Sequence, residues 1–145
     1  MKIYVASSWR NAQQRHVVEA LRADGHHVYD FRDPDDRGVP GGFSWREIDP
    51  DWQQWTPRVF AERVYDPIAS VGFFRDFEAM KKADVCVLVM PCGRSAHLEL
   101  GWCAGAGKRT LILLSHGEPE LMYRLADGLC LSIDELRHAL AAMAL

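Results

Sequence analysis

The sequence has 145 residues and a formal net charge of −3, enough chain for one domain with its own core and too little for two of ordinary size. Its Lys and Arg residues are scattered instead of forming a basic stripe, which argues against nucleic acid as the main partner, and no apolar run approaches the length of a membrane helix. The cysteines Cys86, Cys92, Cys103 and Cys130 contain no C-x-x-C pair, as expected of reduced thiols in a cytoplasmic protein.

In chain order, Met1-Lys2 leads directly into a strand-like Ile3-Tyr4-Val5-Ala6, leaving no signal peptide. Ser7-Ser8-Trp9-Arg10-Asn11 is a polar turn into a helix-period segment with Val17, Val18 and Leu21 on one side. Ser7 or Ser8 is placed to cap that helix, and a helix start beside Arg10 suits a phosphate or a sugar hydroxyl. Asp24-Gly25 closes the helix, and His26 to Phe31 reads as a second strand. The adjacent histidines point to opposite faces of that strand, a poor metal pair.

Residues 32–42 hold turn formers without periodicity, an extended loop. Phe43, Trp45, Trp52 and Trp55 follow, interleaved with acids and glutamines. Such a segment is either a binding loop with indoles as platforms for a flat heterocycle, or a loop pinned by its own tryptophans. Pro57 to Tyr65 is a short helix, interrupted by Asp66-Pro67. A second helical stretch runs from about Val71 to Lys82, with Phe73, Phe74, Phe77 and Met80 as its apolar face and Asp76 inside it.

Val85 to Met90 is apolar, β-branched and without alternation, the pattern of a strand buried on both faces at the centre of a sheet. It stops at Pro91 and passes through Gly93. Ser95 then stands as a candidate N-cap for a helix carrying Glu99 as a lone acid among Leu98, Leu100, Trp102, Cys103 and Ala104. Thr110 to Leu114 is another buried strand, Glu120 to Leu125 a short helix, and Leu129 to Ser132 a final strand. Ser132, with Glu135 three residues on, starts the last helix. Strands alternating with helices at these lengths imply one α/β domain over 1–145. Its expected form is flavodoxin-like or Rossmann-like, with about five parallel strands and helices on both faces.

No G-x-x-x-x-G-K-[ST] loop, dinucleotide fingerprint or G-x-S-x-G elbow occurs, and neither metal nor cofactor chemistry has support. Carboxylate chemistry remains. Breaking a C–N bond at an anomeric carbon suits Glu99 as nucleophile or electrostatic partner with Asp76 as acid, because positive charge develops on the sugar while the leaving base needs a proton. The alternative from the residues alone is that both acids are solvated on outer helix faces, Asp76 pairing with Arg75 or Lys81.

Ile3-Tyr4-Val5-Ala6-Ser7-Ser8-Trp9, Arg75-Asp76-Phe77 followed by Ala83-Asp84-Val85-Cys86-Val87, and Ser95-Ala96-His97-Leu98-Glu99-Leu100-Gly101 together resemble the nucleoside 2-deoxyribosyltransferase family. That family includes the deoxynucleoside 5′-monophosphate N-glycosidases. The resemblance implies a compact α/β enzyme acting on a small-molecule nucleoside or nucleotide, without nucleic acid or membrane, as a homo-oligomer of two or more subunits. By the same resemblance Glu99 is the nucleophile that attacks C1′, Tyr4 positions it, and Asp76 protonates or orients the base. Ser7, Trp9 and Arg10 line the nucleoside, and Gly93, Arg94 and Ser95 hold the sugar 5′ end.

Two departures stand out. The loop Cys92-Gly93-Arg94-Ser95 lacks the Asp that transferases acting on free nucleosides carry for the 5′-hydroxyl, and Arg94 there suits a negatively charged 5′ group. The neighbour-donated Asn of the family is not evident near Glu120-Leu121-Met122. The expected activity is cleavage of an N-glycosidic bond, with the sugar passed to another base or to water. A nucleotide-sensing module without turnover is the alternative from another class. A relative that cleaves the nicotinamide bond of NAD is a third, since the related TIR-type fold also uses a glutamate.

Overall fold

The computed structural model describes residues 1–144. Its elements in chain order are β1 (Lys2–Ala6), α1 (Gln14–Ala23), β2 (His27–Asp30), α2 (Pro57–Arg63), α3 (Pro67–Lys82), β3 (Val85–Val89), α4 (Arg94–Gly105), β4 (Arg109–Leu113), β5 (Gly128–Cys130) and α5 (Ile133–Met143). Short 3-10 turns lie at Trp45–Glu47, Trp52–Gln54 and Leu121–Leu125. The chain forms two compact units, Met1–Asp30 with Met80–Leu145, and Phe31–Ala79.

In the first unit the strands form one parallel sheet in the order β2-β1-β3-β4-β5. β3 is the middle strand and is buried at every position, as its unbroken apolar run requires. The two faces of the sheet differ. Ile3, Val5, Val28, Val85, Val87, Val89, Leu111 and Leu113 project from one face into a hydrocarbon cluster with Val17 and Leu21 of α1 and Leu136 and Leu140 of α5. Each fully buried leucine there contributes about 1.5–3 kcal/mol relative to exposure. The opposite face carries Tyr4, Cys86 and Thr110, because successive strand residues alternate sides; α4 covers it, with Cys103 near enough to Cys86 for the two thiols to shift each other's titration.

The helix starts differ from those expected at the serines. Gln13 is the N-cap of α1 and Gly93 that of α4, neither with a side-chain cap. Ser7 instead donates to the Val89 carbonyl at 2.8 Å, and Ser8 Oγ accepts from the Arg10 amide. Ser95 sits inside the first turn of α4. At the last helix the expectation holds: Ser132 Oγ accepts from the Glu135 amide, while the Glu135 carboxylate accepts from the Leu131 amide. α3 begins at Pro67, earlier than the expected Val71, because proline is favoured in a first helical turn, where its missing N–H costs nothing.

In the second unit, Ser44 and Glu47 form a reciprocal capping box around the first 3-10 turn. Trp45 is ringed edge-on by Phe43 at 4.9 Å, Trp55 at 5.7 Å and Phe60 at 5.7 Å between centroids. Trp55 Nε1 donates to Asp49 at 2.7 Å. These contacts pin the loop from within. Gly72 of α3 faces the same cluster: a Cβ added there would lie 2.7 Å from Phe43 Cβ. On the outer side of α3, Phe73 and Phe74 are 59% and 58% exposed, and Phe73 stacks on Phe77.

Candidate active site

Strand β1 connects to β2 on one side and is flanked by β3 on the other, so the crevice outside the carboxyl ends of β1 and β3 is the topological switch point of the sheet, where ligands bind in open parallel folds. The segments leaving both strands are held together by Asn11, which is 4% exposed. Its Nδ2 donates to Ser7 Oγ at 3.0 Å, to the Val89 carbonyl at 3.1 Å and to the Pro91 carbonyl at 3.2 Å, and its Oδ1 accepts from the Gln13 amide at 2.9 Å. Ser7 is thereby committed at both ends of its hydroxyl, as donor to Val89 and acceptor from Asn11.

The segment after β3 runs through Pro91, Cys92 and Gly93 into α4. Gly93, Arg94 and Ser95 are exposed at the opening of that helix. Glu99 follows one turn deeper and is half-buried. Ser95, Glu99 and Cys103 recur every fourth residue and so share one stripe of α4, leading from the mouth of the crevice to the sheet. The Glu99 charge acts on thiols in two places. Burial and Glu99 together push Cys92 up to about 11. Cys86 is raised by the neighbouring Cys103 thiol, by burial and by Glu99. Glu99 thus contributes to the environment of both thiols. Tyr4 is in register with Cys86, so both project from that same face; its ring is fully buried and stacks on Tyr29 at 5.4 Å.

A second network braces the outer side of the crevice. His97 Nδ1 lies 2.7 Å from the Gly93 carbonyl, and since a carbonyl only accepts, this nitrogen carries the proton. Nε2 is then the acceptor for the Tyr123 hydroxyl at 2.8 Å, and the two rings are stacked. Cys92 Sγ is 3.8 Å from His97 Nδ1, and Met90 Sδ lies 3.5 Å from Cys92 Sγ and 3.3 Å from the Tyr123 oxygen. Burial raises the Tyr123 phenol, which therefore stays a hydrogen-bond donor through the neutral range.

Of the sequence candidates, Ser7 follows the end of β1, Gly93, Arg94, Ser95 and Glu99 lie on the segment and helix that follow β3, and Tyr4 lies within β1 itself. Trp9, 43% exposed, and Arg10, exposed, lie on the turn that follows β1. Asp76 is half-buried on α3 in the second unit. Asn11, Cys92, His97 and Tyr123 were not singled out by sequence reasoning. The four-residue step from Gly93 to His97 was the one local signal; Asn11 reaches acceptors 78 and 80 positions away, and His97 one 26 positions away. Among the described residues no group of three or more His, Cys, Asp or Glu side chains is disposed to hold a metal ion, and no helix is long and apolar enough to cross a membrane.

Comparison with protein-family models and with curated proteins gives no match. Among solved structures the chain is similar to a 2-deoxyribosyltransferase from the psychrotolerant bacterium Bacillus psychrosaccharolyticus, at 23% identity over 94% of this chain and 90% of that one, with a TM-score of 0.63. It is also similar to the Clostridium botulinum CMP N-glycosidase BcmB, at 17% identity over 97% of this chain and 99% of that one, with a TM-score of 0.50. Both neighbours are enzymes, and the likeness shows the fold: an α/β fold of the nucleoside deoxyribosyltransferase type.

Proposed function

We propose that this chain is an enzyme that cleaves the N-glycosidic bond of a nucleoside or nucleoside 5′-monophosphate, with Glu99 as nucleophile. The observation that carries the reading is the placement of Glu99. It is a half-buried acid on the helix that follows β3, and two thiols that feel its charge, Cys86 and Cys92, are both raised and so held in their uncharged form. A half-buried carboxylate facing neutral thiols stabilises a developing cation more strongly than one in open water.

In this reaction a Glu99 oxygen forms a bond to C1′ as the C1′–N bond breaks, the bonding electrons leave with the base, and the base takes up a proton, a step assigned to Asp76. A second base or water then attacks C1′, giving up its proton to the Asp76 carboxylate left by the first step, and the Glu99 carboxylate is released. Tyr4 orients Glu99 from the sheet. Trp9 and Arg10 line the mouth, Ser7 fixes the loop that carries them, and Gly93, Arg94 and Ser95 take the sugar 5′ end. The Arg94 guanidinium beside the open amides of a helix start favours a 5′-phosphate. The exposed Phe73 and Phe74 form the contact of a homo-oligomer, since apolar surface of this kind is costly to leave in water.

The test is chromatographic detection of free base from a panel of deoxynucleosides and nucleoside 5′-monophosphates, with and without an acceptor base, in wild type and Glu99→Ala. Base release that Glu99→Ala reduces at least about a thousandfold is expected. A new nucleoside formed only with acceptor identifies a transferase, and release from monophosphates alone an N-hydrolase. Free nicotinamide from NAD as the sole product points to the glycohydrolase reading, and binding without turnover in wild type to a sensor.

A further inference from the structure

We infer that His97 and Tyr123 are positioning residues for the 5′ end of the substrate, acting through the peptide between Gly93 and Arg94; the inference rests on the functional reading of the α4 start given above. A peptide unit is planar and trans, so its carbonyl and its N–H point in opposite directions. The Gly93 carbonyl points along α4, as that of an N-cap does, and the His97 Nδ1–H, at 2.7 Å, fixes it further. The Arg94 N–H of the same plane is thereby aimed out of the helix start, where the first amides have no partner within the helix.

Gly93 is the N-cap and has no side chain to hold this geometry itself, and a Cβ placed there would meet nothing within 4 Å. As an N-cap carbonyl, that of Gly93 accepts the first bond of the helix, and the His97 side chain adds a second donor to it. His97 in turn needs a fixed tautomer to donate through Nδ1, and the hydroxyl of Tyr123, 2.8 Å from Nε2, supplies it by occupying the other nitrogen as a donor. The 3-10 turn Leu121–Leu125 that carries Tyr123 is thus tied to the mouth of the crevice from 26 residues away. The arrangement mirrors the way an outer partner fixes the ring of a metal-binding histidine, here with an amide donor as the group being aimed.

The experiment compares His97→Phe, His97→Gln, His97→Asn and Tyr123→Phe, each checked for its melting temperature, in steady-state base release from CMP and deoxycytidine 5′-monophosphate. Asn places an amide N–H where Nδ1 stands, whereas Gln places one where Nε2 stands. His97→Phe and His97→Gln are expected to raise KM roughly tenfold with kcat within about twofold, the loss of one hydrogen bond that orients a charged-group donor. His97→Asn should stay within about threefold of wild type, and Tyr123→Phe should raise KM about threefold. A purely structural role would lower melting temperature without separating Asn from Gln, and that result overturns the inference, as does a fall in kcat at constant KM.

The same variants are titrated with CMP and followed at the Arg94 amide by NMR. If wild type releases no base yet its Arg94 amide shifts with CMP and His97→Gln weakens that shift, the catalytic reading fails while the positioning role stands. If CMP leaves the wild-type Arg94 amide unmoved, the positioning role is refuted whatever the turnover.

Discussion

Asn11 offers the sharpest test of how the crevice is built. Its side-chain amide has two protons for the acceptors on Ser7, Val89 and Pro91, so one proton is shared and the group counts as two donated bonds. The bond accepted from the Gln13 amide adds one more. At about 1 kcal/mol net for each hydrogen bond, Asn11→Ala is expected to cost about 3 kcal/mol. For a chain of this length that lowers the melting temperature by about 6–12 °C. Asn11→Asp keeps the shape but turns an oxygen toward the Val89 and Pro91 carbonyls, and should destabilise at least as much as Ala. Urea denaturation gives the free energy, and calorimetry the melting temperature. The segments after β1 and β3 carry the proposed site, so base release should fall more than the unfolded fraction accounts for at the assay temperature. A loss in Asn11→Ala below about 1 kcal/mol, or an Asp variant as stable as wild type, would refute the reasoning.

Other expectations follow from the same geometry. Cys92, held up to about 11, should have on the order of one thiolate in a thousand near pH 8 and react slowly with iodoacetamide, the rate rising about tenfold per pH unit. Glu99→Gln removes one of the two causes and should speed that labelling at fixed pH; an unchanged rate would place Glu99 away from Cys92. The paired bonds from Arg137 to Asp24, both 2.6 Å, hold the Asp24 carboxyl below its ordinary 3.8. A depressed carboxyl stabilises the fold fully above its unfolded value and loses that contribution as pH falls through its folded value. The difference in urea midpoint between wild type and Asp24→Asn should therefore be constant from about pH 5 upward and vanish in strong acid. For the aromatic face of α3, Phe74→Glu should shift an oligomer toward monomer in light scattering, and a wild-type monomer at micromolar concentration would remove that assignment.

Much of this architecture was legible in the sequence. Val85 to Met90 was legible as a central buried strand, since apolar, β-branched residues without alternation need cover on both faces, and the strand spans Val85–Val89. Glu99 was legible as an acid one turn inside the helix that follows. The serines misled for a physical reason: a serine between strand and helix is commonly a cap, but at the carboxyl end of a sheet unpaired strand carbonyls compete for the same hydroxyl, and Ser7 went to Val89. Asn11 and Tyr123 were illegible because their partners are remote in sequence, and no local period reports which strand ends become neighbours. The tryptophans were legible as a cluster, but whether an indole offers its face or packs it away depends on rings such as Phe60, which pairs with Trp45 only in the folded unit.

Gly72 has a consequence for how this protein can change. A side chain there would collide with Phe43, and Phe43 supports Trp45, against which Trp55 and Phe60 are set. Helix and loop thus form a matched set, inherited or exchanged as a block. A related loop grafted without its own helix would bring a first aromatic shaped for a different neighbour. In library recombination, crossovers between Phe43 and Gly72 should yield mostly misfolded chimeras, whereas those outside that interval leave the set intact.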